Sequence, residues 1–223
     1  MDMNPDQIIF FKAGVFPINA TIFFTWVIML LLCLISWTIT GKLSSGPKIS
    51  RFQSILETIY TLISSQIKDV TGSDPTPLVP FLGTLFVFIL TANLMEVVPL
   101  FHPPTASLST TAALSICVFF AVPVFGIMKK GVWGFLKEYA QPSVFMILFN
   151  ILGEITRTVS LSVRLFGNIM SETLIAGILL VLVPLFVPVV MQIFGIIIGT
   201  VQAYIFFILA TVFVGSAASG KQH

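Results

Sequence analysis

The chain has 223 residues, of which 57% are hydrophobic and 9% charged, with a formal net charge of +2. A water-soluble domain carries roughly a quarter of its residues as charges, so this composition excludes one. The near-balance of acid and base, without a long basic run, also excludes a nucleic-acid binder. A polytopic helical membrane protein remains, expected to form a single membrane domain over residues 1–223.

Taken in order, the N-terminal MDMNPDQ has no positive region ahead of the first apolar segment, so a cleaved signal peptide is not expected. The first span is predicted over about residues 18–40, with Trp26 and Trp37 inside it. A Gly/Pro/Ser loop with Lys42 and Lys48 follows. Over about residues 50–70, Phe52, Ile55, Leu56, Ile59, Leu62, Ile63 and Ile67 recur at helical spacing opposite a polar face. This predicts an amphipathic helix at the interface, too polar to span.

The second span, about 78–100, ends in ANLMEVVP with Glu96 near its exit. A proline-rich turn leads to the third, about 108–128, where Pro123 is expected to introduce a kink. A short connector follows with Lys129, Lys130 and Lys137. The last two spans, about 143–182 and 187–218, break around Pro184 and Pro188. Both exceed a perpendicular crossing, and strong tilt is the natural accommodation. The predicted fold class is therefore an all-α membrane protein. It has five membrane-crossing helices and an amphipathic interfacial helix, the last two spans forming a long, strongly tilted hairpin.

Lys42, Lys48, Arg51 and Lys68 flank one set of connections and the three connector lysines another, while residues 101–107 and the turn near Pro184 contain no Lys or Arg. Basic loops face the cytoplasm, which places the N-terminus outside and the C-terminus inside. Cys33 and Cys117 sit in apolar runs without metal or redox spacing and are expected to fill space in the core. His102 and His223 stand alone, so no metal site, cofactor or catalytic cluster is expected.

The fourth span breaks the apolar pattern. Asn150, Glu154, Arg157, Ser160, Arg164, Asn168 and Glu172 follow one another at spacings of 4, 3, 3, 4, 4 and 4 residues. At ~100° per residue they fall within a sector of roughly 120°, a single stripe about 33 Å long. A charged side chain at mid-membrane costs at least ~2.5–3.5 kcal/mol, so such groups face water or a partner and suggest an ion path. Arg164 stays protonated and cannot relay a proton. Its expected work is electrostatic, attracting a carboxylate and blocking leakage, and that carboxylate is best supplied by another chain. Glu172 and Asn168 continue the stripe outward; Ser160, Arg157, Glu154 and Asn150 continue it inward. Simpler roles stay open for several of these. Glu154 and Arg157 suit a structural (i, i+3) pair, Asn168 and Gln202 suit interhelical hydrogen bonding, and Glu96 suits the interface.

At SLSVRLFGNIMSETLI the chain resembles subunit a of the F-type ATP synthase. NLMEVVP (93–99), PTASLSTTAAL (104–114), KKGVWGFLKEY (129–139) and VQAYIFFILATVFV (201–214) accompany that signature in order. The resemblance implies a stator subunit whose tilted hairpin hugs a rotating ring of c subunits. It further implies b-type peripheral stalk subunits and the other ATP synthase subunits as partners, all within a lipid bilayer. Arg164 would separate two offset half-channels for H⁺ or Na⁺. The outer one would pass the positions of Glu172, Asn168, Glu96 and Gln202, and the inner one those of Asn150 and Ser160. The chain would be non-catalytic by itself and would lie in a bacterial inner membrane. Ser107 and Gly195 depart from the resemblance, standing where many members carry an acid and a titratable residue. The competing readings are a proton-coupled secondary transporter and a structural membrane adaptor.

Overall fold

The computed structural model describes residues 9–13, 16–41, 51–98, 101, 103–139, 145–182 and 187–219. The loop with Lys42 and Lys48, the Pro184 turn, His102, and the two termini with His223 lie outside the described residues. The protein is an all-α membrane protein; its described residues form six α-helices, five of them long and apolar enough to cross a bilayer. A small antiparallel hairpin precedes them, β1 (Ile9–Ala13) paired with β2 (Phe16–Asn19). The sequence reading does not anticipate it, having extended the first span back to residue 18. Helix α1 (Ala20–Thr40) begins directly after β2.

Helix α2 (Arg51–Thr71) is the amphipathic one. Ile63 and Ile67 are buried, while Ile55, Tyr60 and Leu62 remain exposed beside polar residues. Its C-terminal half is tied to the bundle where Tyr204 donates its hydroxyl hydrogen to Gln66 Oε1 at 3.0 Å. The turn to α3 is closed by Asp74, whose Oδ1 accepts from the Thr76 amide at 3.1 Å and the Thr76 hydroxyl at 2.7 Å. These hydrogen bonds hold the Asp74 carboxyl below its ordinary pKa, with smaller contributions from Lys129 and Lys68. A lowered folded pKa stabilises the turn above the unfolded value, and that contribution fades as pH falls through the folded one. Lys68, Asp74 and Lys129 are thereby gathered at one end of the bundle.

Helix α3 (Val79–Leu94) starts with Pro80 in its first turn, where a missing N–H leaves no gap. It gives way to a 3₁₀ turn over Met95–Val97, so Glu96 lies beyond the α-helix proper. A second 3₁₀ turn, Pro104–Ala106, is wholly buried and leads into α4 (Leu108–Tyr139). Helix α4 passes Pro123 and breaks at Gly131, the residue in it with non-helical dihedrals (φ 73°, ψ 163°). That region of the map is open essentially to glycine alone. The break folds the connector back, bringing Phe135 against Gly126 and leaving Trp133 87% exposed. Gly131→Ala is expected to destabilise the fold by about 1–3 kcal/mol. Thermal unfolding of the detergent-solubilised complex checks this, and an unchanged midpoint would refute it.

Helices α5 (Phe145–Leu182) and α6 (Val187–Ser219) are continuous over 38 and 33 residues. At ~1.5 Å per residue they are roughly 57 and 50 Å long, well beyond a hydrocarbon core of about 30 Å. Helix α6 is the hub, packing against α2, α3, α4 and α5. Gln202, Ala203, Phe206, Phe207, Ala210, Thr211 and Val214 form its buried face. Helix α1 is peripheral, with Ile28 and Thr21 buried and Trp26, Leu30 and Trp37 outward. Cys33 and Cys117 are exposed, which corrects the expectation that they fill the core. In a membrane span an apolar residue is equally suited to lipid and to protein, so hydropathy does not discriminate the two faces.

Candidate functional site

Helix α5 presents two faces. Leu161, Ser162, Leu165, Ile169 and Glu172 are buried against the bundle, because their 3.6-residue recurrence places them on one side. Arg157, Ser160, Arg164 and Asn168 are exposed on the flank beside it, and Asn150 and Glu154 are half-buried. The stripe read from the sequence is therefore outward along its middle and turns inward at Glu172. Among the described residues, no acid comes within ion-pair distance of Arg164.

Arg157 and Glu154 form no ion pair either. The Arg157 guanidinium instead lies over the Phe213 ring of α6, 5.4 Å from its centroid. A cation over an aromatic face is worth about 0.5–2 kcal/mol depending on desolvation, so Arg157 joins α5 to α6 rather than bracing its own helix. One turn beyond Arg164, Asn168 Nδ2 donates to Gln202 Oε1 at 2.7 Å. Gln202 is only 3% exposed, and this hydrogen bond links the exposed stripe to the buried face of α6. The interhelical hydrogen bond left open for this pair is present.

Glu172 and Glu96 come together. Both line a cavity of ≈ 260 Å³ between α3, α5 and α6, with Asn93, Gln192 and Gly195. Among the described residues, no Lys, Arg or His borders it. Its volume is ample for water, and the acids supply acceptors for it. Glu96, left open as an interfacial group, thus shares a compartment with the end of the stripe. Ser160, Asn150, Glu154 and Arg157 do not reach this cavity. Of the nine sequence-derived positions, Glu96 and Glu172 line the cavity, Asn168 and Gln202 are bridged by a hydrogen bond, and Arg164, Ser160, Arg157, Glu154 and Asn150 lie along α5.

Several contributors escape a stripe-based reading. Asn93, 2% exposed, donates from Nδ2 to the Gly199 carbonyl oxygen at 2.8 Å and accepts at Oδ1 from the Thr105 hydroxyl at 2.8 Å. It ties α3, α6 and the Pro104–Ala106 turn together beside the cavity. Its position three residues before Glu96 is the sequence signal. Gly195 and Gly199, spaced i, i+4 among bulky aliphatics on α6, are a second signal.

The profile of the family described as ATP synthase A chain matches residues 22–215. The chain is 52% identical over 223 residues to ATP synthase subunit a 2 of Acaryochloris marina, covering all of this chain and 95% of that one. It is similarly 52% identical over 222 residues to ATP synthase subunit a of Albidiferax ferrireducens, covering all of this chain and 96% of the relative. Against ATP synthase subunit a of Nitrosospira multiformis the identity is 52% over 219 residues, 98% of this chain and 87% of the relative. Such full-length agreement, on a bundle of five apolar spans with an arginine-bearing helix, shows that the chain belongs to the ATP synthase A chain family and is a multi-pass membrane component of an ATP synthase complex.

Proposed function

We propose that the chain is the stationary half of the complex's ion path. Arg164 separates two offset half-channels that load and unload H⁺ or Na⁺ on the carboxylates of a ring of c subunits. The observation that carries this reading is Arg164 itself, exposed on the outer flank of α5 with no acid of its own chain within ion-pair distance among the described residues. A permanent cation in hydrocarbon needs a mate, and a carboxylate arriving on a neighbouring rotor supplies one transiently. Its proximity favours the ionised form of that carboxylate, so the ring acid releases its ion before passing the arginine.

The outer half-channel runs through the cavity of Glu96 and Glu172 and past the Asn168–Gln202 bridge. The inner one follows Ser160, Glu154 and Asn150, with Arg157 held against Phe213 at its side. The length of α5 and α6 lets a strongly tilted hairpin follow the curved flank of the ring. Stalk subunits of the b type hold this single membrane domain against rotation. Lys68 and Lys129, gathered at one end with Asp74, support a cytoplasmic location for that end. The N-terminus then lies outside and the C-terminus inside a bacterial inner membrane. The chain itself performs no ATP chemistry.

Reconstitution tests the proposal. Liposomes bearing the complete complex are expected to build an ion gradient on ATP addition, while liposomes bearing this chain alone accumulate neither ion nor solute. Solute uptake by the isolated chain would establish a free-standing transporter instead. Sensitivity of the gradient to a protonophore, against dependence of the rate on added Na⁺, identifies the ion.

A further inference from the structure

Two buried glycines on α6 face polar side chains of other helices. A Cβ at Gly199 would stand 2.9 Å from Asn93 Cβ, but Asn93 is fully hydrogen-bonded and its place is structural. Gly195, one turn earlier, differs. A Cβ there would collide with Glu172 Oε1 and stand 3.4 Å from the carboxyl carbon. Glycine inside a helix is about 1 kcal/mol worse than alanine, so the position keeps an unfavourable residue at the point where an acid crosses from α5. Glu172 is 9% exposed, and among the described residues its carboxylate has no hydrogen-bond or ion-pair partner. It borders the ≈ 260 Å³ cavity that Glu96 also lines.

We propose that Gly195 is a positioning residue for ion transfer. The missing side chain is a notch in which the Glu172 carboxylate lies within the α5–α6 seam, aimed into the cavity opposite Glu96. This rests on the reading of Glu172 as an inlet group. A Cβ at position 195 overlaps the Glu172 Oε1 position, so the carboxylate end must shift from where it now sits. The neighbouring flank of α5, with Leu174, Ile175 and Ile178 exposed, offers it hydrocarbon instead of water. Acid length and notch depth are therefore coupled. A shorter acid suits a shallower notch, whereas in the native notch the same shortening withdraws the carboxylate from the cavity.

Inverted vesicles carrying the whole complex test this through ATP-driven ion transport, with the assembled complex quantified in the same membranes. Gly195→Ala is expected to slow transport about tenfold or more, as displacement of a reacting group by about an ångström does. Adding Glu172→Asp to Gly195→Ala is expected to restore at least about threefold, a coupling of the size seen for contacting residues. Glu172→Asp alone is expected to be slower than native. Because a shorter side chain would also relieve a mere packing clash, the decisive comparison is transport per assembled complex: Glu172→Asp rescues it, whereas Glu172→Ser in the same Gly195→Ala background restores assembly but not transport. Native-like transport in Gly195→Ala overturns the proposal, as does a double variant no faster than the single one. If Gly195→Ala prevents assembly, the double variant still decides: recovery of complex and transport supports the seat, and no recovery overturns it. Glu172→Gln separates the two levels. Native transport in that variant removes Glu172 from the path altogether, whereas a slow Glu172→Gln beside a native-like Gly195→Ala removes only the role of Gly195.

Discussion

Replacing Arg164 by alanine or by lysine is expected to lower ATP synthesis and ATP-driven ion transport about 100-fold or more, the scale of losing one preorganised charge at a transfer site, while the complex still assembles. On the proposed reading the alanine variant removes the cation, so a ring carboxylate passing that point would keep its ion and the two half-channels would no longer be electrically separated. The lysine variant is the sharper test. An ammonium is a compact charge on a flexible stem that loses its proton readily when desolvated, whereas guanidinium stays charged and presents a planar set of donors. Exposure of Arg164 on the flank of α5 predicts that neither change disturbs packing. Transport assays on vesicles, paired with immunoblots for the other subunits, measure both halves of the expectation. Retained coupled transport in Arg164→Lys would reduce the guanidinium to a generic positive charge.

Asn93→Leu is expected to cause the largest loss of stability. Asn93 connects α3 to α6 through the Gly199 carbonyl and to the Pro104–Ala106 turn through Thr105, all at buried positions. Leucine is similar in volume but leaves the Thr105 hydroxyl without its acceptor and takes the amide from Gly199. Stranding a buried polar group costs about 1–3 kcal/mol. For a chain of 150–250 residues each kcal/mol shifts the melting midpoint by roughly 2–4 °C, so a decrease of several degrees is expected in the detergent-solubilised complex. Closely packed Gly199 adds a second handle, since Gly199→Ala forces Asn93 aside and should reproduce part of the same loss. An unchanged midpoint in Asn93→Leu would show the amide to be dispensable.

Hydropathy alone locates the spans, because a bilayer demands long uninterrupted apolar helices. The stripe on α5 was equally legible, since seven polar positions on one face of a span have few bland explanations. Less visible were features that depend on which residue of a neighbouring helix lies opposite. Period arithmetic sees Arg157 three residues from Glu154, but Phe213, far away in sequence, holds its guanidinium. Gly195 reads as a gap in the pattern until Glu172 is found occupying it. The dihedral break in α4 at Gly131, eight residues beyond Pro123, has no signal in the apolar pattern, because only the backbone geometry of that glycine makes it. The orientation of Cys33 and Cys117 could not be read, since lipid and protein interior solicit the same residues.

The aromatic seat of Arg157 has a consequence for how α5 and α6 stay joined as pH changes. A carboxylate mate would loosen its grip whenever local acidity rose enough to neutralise it. Phenylalanine has no proton to gain, so the brace between α5 and α6 at Phe213 does not depend on the protonation of its partner. The contact joins α5 to α6 through a partner that carries no charge of its own.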